Sequence, residues 1–339
     1  MSAEKKPRIV FWGTPEFALP VLEALCGRYE VILCVTKADK PKGRGGKVAK
    51  SPVKIAAEGK GIPVLAPESI RTDEFFGELS GFDADLYVTC AYGKIIPARI
   101  LDLPRMGCVN VHASLLPKLR GSAPIWRAVI NGEKETGVTT MMTDAGMDTG
   151  DILLAESLEI GENMTCGELS DALSAMGAEL IVKTIDGLLE GAVRRIPQDH
   201  ALATFAPPVQ KEEGLIDWTL DARRIHDLVR GMDPSPGAYS FLRGGAGGDM
   251  KESKIKIWKT AVLSPKDRGE NDALGRASHI PGSVVRIAKN RIAIVCGSGA
   301  LELLELQAEN SKRMNTAAFL NGHDLKGVFG GPGGDGGAF

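Results

Sequence analysis

The sequence predicts an α/β fold: a mostly parallel, Rossmann-like sheet followed by a smaller C-terminal β-barrel. Three observations predict it. Near-continuous apolar runs alternate with helical patterns through the first half, as in a parallel sheet covered on both faces. Beyond a segment of mixed polarity ending at Pro207-Pro208, the runs shorten and alternate with period two, as in a small barrel. The length, 339 residues, suits two domains at roughly 100–200 residues each.

Arg8-Ile9-Val10-Phe11-Trp12 reads as the first strand, ended by Gly13-Thr14-Pro15. Phe17, Val21, Leu22 and Leu25 then recur at helical spacing. Residues 31–35, 85–90 and 108–112 read as further buried strands, with helical patterns at 53–58 and 125–130. The longest helical pattern covers 165–189 through Leu169, Leu173, Met176, Leu180 and Ile181. In the second half, a short helix at 222–229 precedes alternating strands at 254–258, 283–287 and 292–295, while Arg243-Gly244-Gly245 opens a flexible loop. The expected division is a first domain over 1–191, a linker over 192–209, a barrel over 210–325 and a tail over 326–339. The last thirteen residues hold seven glycines, so no fixed structure is expected there.

Composition excludes several classes. Lys and Arg total 41 against 43 Asp and Glu, a net charge of −2. That rules out a uniformly basic nucleic-acid coat but leaves room for a local patch. The six cysteines are scattered without a CxxC pair, which fits buried thiols in a reducing compartment. The N-terminus shows no signal-peptide pattern and no apolar run approaches 18 residues. The expectation is a soluble, cytoplasmic protein with no membrane partner.

Chemistry concentrates at three places. In a strand, residues i and i+2 share a face, so Asn110 and His112 point the same way at a strand's carboxyl end, where parallel sheets place their ligands. Asp144, Asp148 and Asp151 lie in a glycine-containing turn whose spacing misses a calcium loop. An Asn, a His and an Asp together can run attack on an acyl carbon, the first two stabilising an oxyanion. No serine elbow is present, so direct transfer between two bound substrates is the simpler reading. Gly13-Thr14-Pro15 lacks the dinucleotide and Walker fingerprints. Finally, residues 37–54 hold seven basic side chains (Lys37, Lys40, Lys42, Arg44, Lys47, Lys50, Lys54) and one acid, Asp39. Pro and Gly interrupt this run, so the charge is displayed on a loop that can contact phosphates. Lys251, Lys254, Lys256, Lys259, Lys312 and Arg313 add basic groups in the second half.

Asn110-Val111-His112-Ala113-Ser114-Leu115-Leu116-Pro117, then Arg120-Gly121-Ser122-Ala123-Pro124-Ile125, then Gly137-Val138-Thr139-Thr140-Met141-Met142 through Asp148-Thr149-Gly150-Asp151, together resemble the folate-dependent formyltransferases. The resemblance runs from about residue 8 to 319 and is nearest the branch that acts on initiator methionyl-tRNA. It implies a formyltransferase sheet with Asn110, His112 and Asp148 as the catalytic trio. It places the folate site on Cys90, Ala91, Tyr92, Lys94, Ile95 and Ile96, on the turn Ser114, Leu115, Leu116 and Pro117, and near Asp144. It assigns Lys42, Arg44 and Lys47 to tRNA, with Arg44 in the key position. Lys40 stands where the family commonly has Arg, which removes bidentate donors. The implied donor is 10-formyltetrahydrofolate, with no metal and no nicotinamide, and the implied state is a monomer. Sugar-nucleotide formyltransferases are the chief rival, because some carry a similar second domain; the long basic loop separates the two. A non-catalytic RNA-binding relative would have lost the trio.

Overall fold

Apolar strands too buried to face water need helices on both sides, and the first unit is built that way. A computed structural model describes residues 6–42, 47–243, 252–264, 280–322 and 325–331. Strands β1 (Arg8–Gly13), β2 (Glu30–Val35), β5 (Val64–Leu65), β6 (Leu86–Cys90), β7 (Cys108–His112), β8 (Glu135–Met142) and β9 (Ile152–Glu159) form one sheet in the order β5-β2-β1-β6-β7-β8-β9. The first five run parallel, while β8 pairs antiparallel to β7 and β9 antiparallel to β8. A separate hairpin joins β3 (Lys40–Lys42) to β4 (Lys47–Ala49). The helices are α1 (Leu19–Arg28), α2 (Pro52–Gly59), α3 (Asp73–Ser80), α4 (Ala98–Leu101), α5 (Pro124–Ile130) and α6 (Cys166–Leu189). Ser51 caps α2 by accepting from the Lys54 amide, and Thr72 caps α3 by accepting from Phe75. One core gathers Val10, Trp12, Leu33, Phe75, Leu79, Tyr87 and Ile100.

Thr140 on β8 pairs in register with Val111 on β7 and meets Thr184 of α6 through their hydroxyls at 2.8 Å. Helix α6 therefore covers the Val111 face. Asn110 and His112 project from the opposite face, because strand side chains alternate. Five cysteines are buried and Cys26 is partly so. Burial pushes the thiols of Cys34 and Cys108 up to about 12, so they behave as small hydrophobes.

The second unit comprises residues 126–134, 160–168 and 209–339; the first holds the rest, including residues 192–208. After α7 (Ala222–Gly231), strands β10 (Ala238–Arg243), β11 (Glu252–Val262), β12 (Val284–Ala288), β13 (Arg291–Val295), β14 (Ala300–Ala308), β15 (Met314–Asn315) and β16 (Val328–Gly330) form a curled antiparallel sheet with α8 (Thr316–Gly322). The order is β12-β13-β14-β11-β10-β16, with β15 on β14. Its ends meet: the Val284 amide donates to Gly327 at 3.1 Å and Phe329 to Gly282 at 2.8 Å. The curled sheet wraps Trp218, Ile225, Ile257, Leu303, Phe319 and Phe329. Lys254 and Lys256 lie over aromatic rings, at 3.7 Å from Tyr239 and 5.1 Å from Trp258.

One expectation is corrected. The tail from 326 was expected to lack structure, yet Val328–Gly330 adds a strand to β10. Phe329, 2% exposed, has a core to enter, and that outweighs the glycines around it. Residues 332–339, and most of the Gly-rich loop after Arg243, lie outside the described residues. Among the described residues, no helix is long and apolar enough to cross a membrane.

Candidate active site

The end of β7 carries the site. Asn110 lies beside Thr89 of β6 in register, and the Thr89 hydroxyl donates to Asn110 Oδ1 at 2.7 Å. With its oxygen engaged, the amide has a defined flip, and Nδ2 is left to donate elsewhere. Nothing in the sequence marks the Thr89 hydroxyl, one β-branched residue inside a mostly apolar strand. Replacing it by valine keeps the shape and removes this one bond, worth about 1 kcal/mol. Thr89→Val should lower kcat about fivefold and stability by about 1 kcal/mol, measured by steady-state turnover and thermal melting.

His112 is 6% exposed. Its Nε2 donates to the Leu119 carbonyl at 3.1 Å. A carbonyl can only accept, so Nε2 carries the proton and Nδ1 is the working nitrogen. Nδ1 stands 3.7 Å from Asp148 Oδ1, longer than a hydrogen bond and short enough for strong attraction to an imidazolium. The other carboxylate oxygen, Oδ2, accepts from the Gly121 amide at 2.7 Å. That bond sets the carboxylate's angle and leaves Oδ1 facing His112. Three non-glycine residues around the site adopt left-handed backbone: Ala91 (φ 49°), Leu119 (φ 58°) and Asp148 (φ 54°). Such conformations cost about 1–3 kcal/mol each and cluster at working sites.

The Ser114–Pro117 turn lies over β8. Thr139, paired with His112 in register, donates its hydroxyl to the Ser114 carbonyl at 2.7 Å and accepts from the Leu116 amide at 3.1 Å. Ser114 Oγ donates to the Lys118 carbonyl. Gly137 makes the close approach possible: a Cβ there would stand 2.6 Å from Leu115 Cδ2 and 2.1 Å from the Glu156 carbonyl oxygen.

The 90–96 loop follows β6 beside β7. Cys90, Tyr92 and Ile96 are buried, whereas Ala91 is exposed and Ile95 is 65% exposed. Tyr92 packs edge-on to Trp12 with ring centroids 5.1 Å apart, and its hydroxyl has no hydrogen-bond partner among the described residues. Lys94 Nζ donates to the Glu68 carbonyl at 2.9 Å. Asp144 is exposed and spends one oxygen on its own turn, accepting from the Gly146 amide at 3.0 Å and the Thr149 hydroxyl at 2.7 Å. Lys42 and Lys47 are paired in backbone register across the β3–β4 hairpin; Arg44 lies outside the described residues. No cluster of three or more metal-binding side chains occurs among the described residues.

The structure thus brings His112 and Asp148 together and puts Asn110 on the same face as His112. This arrangement can hold an oxyanion and move a proton. Comparison with known proteins agrees in kind. The formyl transferase family model matches residues 7–185, and the formyl transferase C-terminal domain model matches residues 208–324. The methionyl-tRNA formyltransferase of Acetivibrio thermocellus is 46% identical over 319 residues, covering 94% of this chain and 97% of that protein. That of Geobacter sulfurreducens is 45% identical over 320 residues, covering 94% and 95%. Among solved structures, the sugar 3N-formyl transferase WlaRD has a TM-score of 0.61 at 18% identity, covering 91% of this chain and 99% of that one. HypX from Aquifex aeolicus in complex with tetrahydrofolic acid scores 0.59 at 15% identity over 93% of this chain, which spans about half of that protein (47%). Those two likenesses speak to fold alone. Because the family model covers more than half of the chain and relatives near half identical span almost all of it, the chain belongs to the methionyl-tRNA formyltransferase family.

Proposed function

We propose that the protein transfers the formyl group of 10-formyltetrahydrofolate to the α-amino group of methionine on initiator methionyl-tRNA, giving N-formylmethionyl-tRNA. The observation that carries this reading is the meeting of His112 and Asp148 beside Asn110 at the end of β7, in a chain whose full-length relatives bear that name. The 90–96 loop fits a flat heterocycle: Ile95 exposes apolar surface, and Tyr92 buries a hydroxyl that lacks a partner among the described residues.

The folate supplies an activated formyl carbon. An α-amino group titrates near pH 7.7–8.0, about where a useful fraction is neutral and nucleophilic in the cell. Asn110 Nδ2 and the Nδ1 proton of a charged His112 hold the negative charge that develops on the formyl oxygen. Asp148, attracted to that imidazolium, keeps it in place and takes a proton from the attacking amine for return to the folate nitrogen. A new C–N bond replaces the old one and no net proton is consumed. No protein nucleophile is needed.

Lys42, Arg44 and Lys47 hold the tRNA, and Lys254 and Lys256 add positive charge on one strand face. The protein acts in the cytoplasm, as a monomer and without a metal. Arg44→Ala should weaken charged-tRNA binding about tenfold, with a smaller salt slope, and leave folate affinity unchanged; filter binding and fluorescence titration read the two. The test of the function compares acceptors at a fixed concentration of folate donor. Charged initiator tRNA should be formylated and a sugar-nucleotide amine should not. Preference for the sugar nucleotide would overturn the assignment.

A further inference from the structure

Residues 198–206 lie far from the site in sequence, between α6 and the second unit, where the sequence suggests only a linker. In space they are bonded to its scaffold. Gln198 is buried, and its Nε2 donates to the carbonyls of Asp148 (3.0 Å) and Gly150 (2.7 Å). Its Oε1 accepts from Arg120 Nε (3.1 Å) and Nη2 (2.6 Å). The side chain is therefore saturated, with both amide protons spent on the turn that presents Asp148. Arg120 is 3% exposed and also donates through Nη1 to His200 Nδ1 at 3.2 Å. None of the described ion pairs involves Arg120. A guanidinium buried on neutral partners is expensive, and here it orients the amide that holds the Asp148 turn.

The same segment reaches His112. Thr204 accepts the Leu119 amide on its hydroxyl at 2.8 Å and the Arg120 amide on its carbonyl at 2.8 Å. Ala206 donates to the Arg120 carbonyl at 2.7 Å. Leu119 offers the carbonyl that fixes His112 Nε2, and Gly121 the amide that fixes Asp148 Oδ2. Both partners of the 3.7 Å pair are thus supported by residues bonded to this one strap.

We propose that Arg120, Gln198 and Thr204 are positioning residues, a clamp through which residues 198–206 set the separation of His112 and Asp148. The proposal rests on the reading of His112 and Asp148 as the catalytic pair. Its consequence is that loosening the strap harms the chemical step and spares substrate binding.

Gln198→Glu separates the roles, since a carboxylate still accepts from Arg120 but cannot donate to the two carbonyls. Expected is a fall in kcat of about 10–100-fold, the scale of a misplacement near 1 Å. KM for the folate donor and for charged tRNA should stay within about twofold, and the pH profile of kcat should shift. Added to Asp148→Asn, Gln198→Glu should cost no further turnover, because groups acting as one unit are not additive. Full turnover in folded Gln198→Glu, or an independent second loss in the double variant, would overturn the clamp. Should Gln198→Glu not fold, Thr204→Val removes only the hydroxyl acceptor. It should lower kcat several-fold at constant KM, and unchanged kcat would equally overturn the proposal. Failure of the underlying reading looks different: Asp148→Asn alone would then retain its turnover.

Discussion

His112→Ala and Asn110→Ala should each lower turnover at least about 10²–10³-fold, the typical loss when one oxyanion donor is removed. The fold should survive both changes. Strand β7 is registered by backbone bonds to β6 and β8, which neither side chain supplies. Asn110→Ala releases the Thr89 hydroxyl, a small local cost. His112→Ala strands the buried Leu119 carbonyl, about 1–3 kcal/mol, within the margin of an ordinary domain. Single-turnover rates at saturating substrates and thermal melting measure the two effects. Near-normal turnover in both variants would remove Asn110 and His112 from the mechanism.

Gly150→Ala is expected to cost both stability and activity. A Cβ at this position would stand 1.9 Å from the Met142 carbonyl oxygen and 2.9 Å from its carbon. Backbone cannot swing aside as a flexible side chain can. The turn must open, yet it is fastened at both ends: the Met142 amide donates to the Asp151 carbonyl at 2.9 Å, and Gln198 holds Gly150. Relief of the clash breaks one or both fastenings. The expected cost is about 2–3 kcal/mol or more, with turnover lower by about 10²-fold because Asp148 moves with the turn. Hydrogen exchange over residues 142–151 should quicken while strands β1 and β2 keep their protection. Unchanged protection with full activity would show that the turn tolerates the methyl group and that Asp148 does not depend on it.

Legibility of the fold followed burial. Strands β1, β2, β6 and β7 are mostly apolar, and their runs stand out in the sequence. The hairpin of β8 and β9 does not. In β8 two polar threonines are buried with partners, Thr139 in the Ser114 turn and Thr140 in Thr184. Their strand character is set by tertiary bonds, and the antiparallel direction comes from the short connection through Asp148. Strand β16 was hidden by the glycines that flank Phe329.

The site divides the same way. Asn110 and His112 are legible because the two-residue period places them on one face. The approach of Asp148 to His112 is implied only by the family resemblance and rests on a turn with φ 54° at the aspartate, which no periodicity announces. Thr89 reads as one more β-branched strand residue, although its hydroxyl decides the flip of Asn110. Arg120 and Gln198 stand 78 residues apart, and nothing in either neighbourhood points to the other. Chemistry carried by neighbours in sequence could be read; chemistry carried by long-range hydrogen bonds could not.

The central claim is direct transfer from folate to the methionyl amine at the end of β7, without an enzyme-bound formyl group. The most direct measurement follows an isotopically labelled formyl group in a single turnover with the donor, charged initiator tRNA and the full chain. The account predicts label on the methionine α-nitrogen at the rate the donor is consumed, with none on the protein at any time. Label trapped on a protein side chain before it reaches the tRNA, or donor consumed with no labelled tRNA, would contradict it.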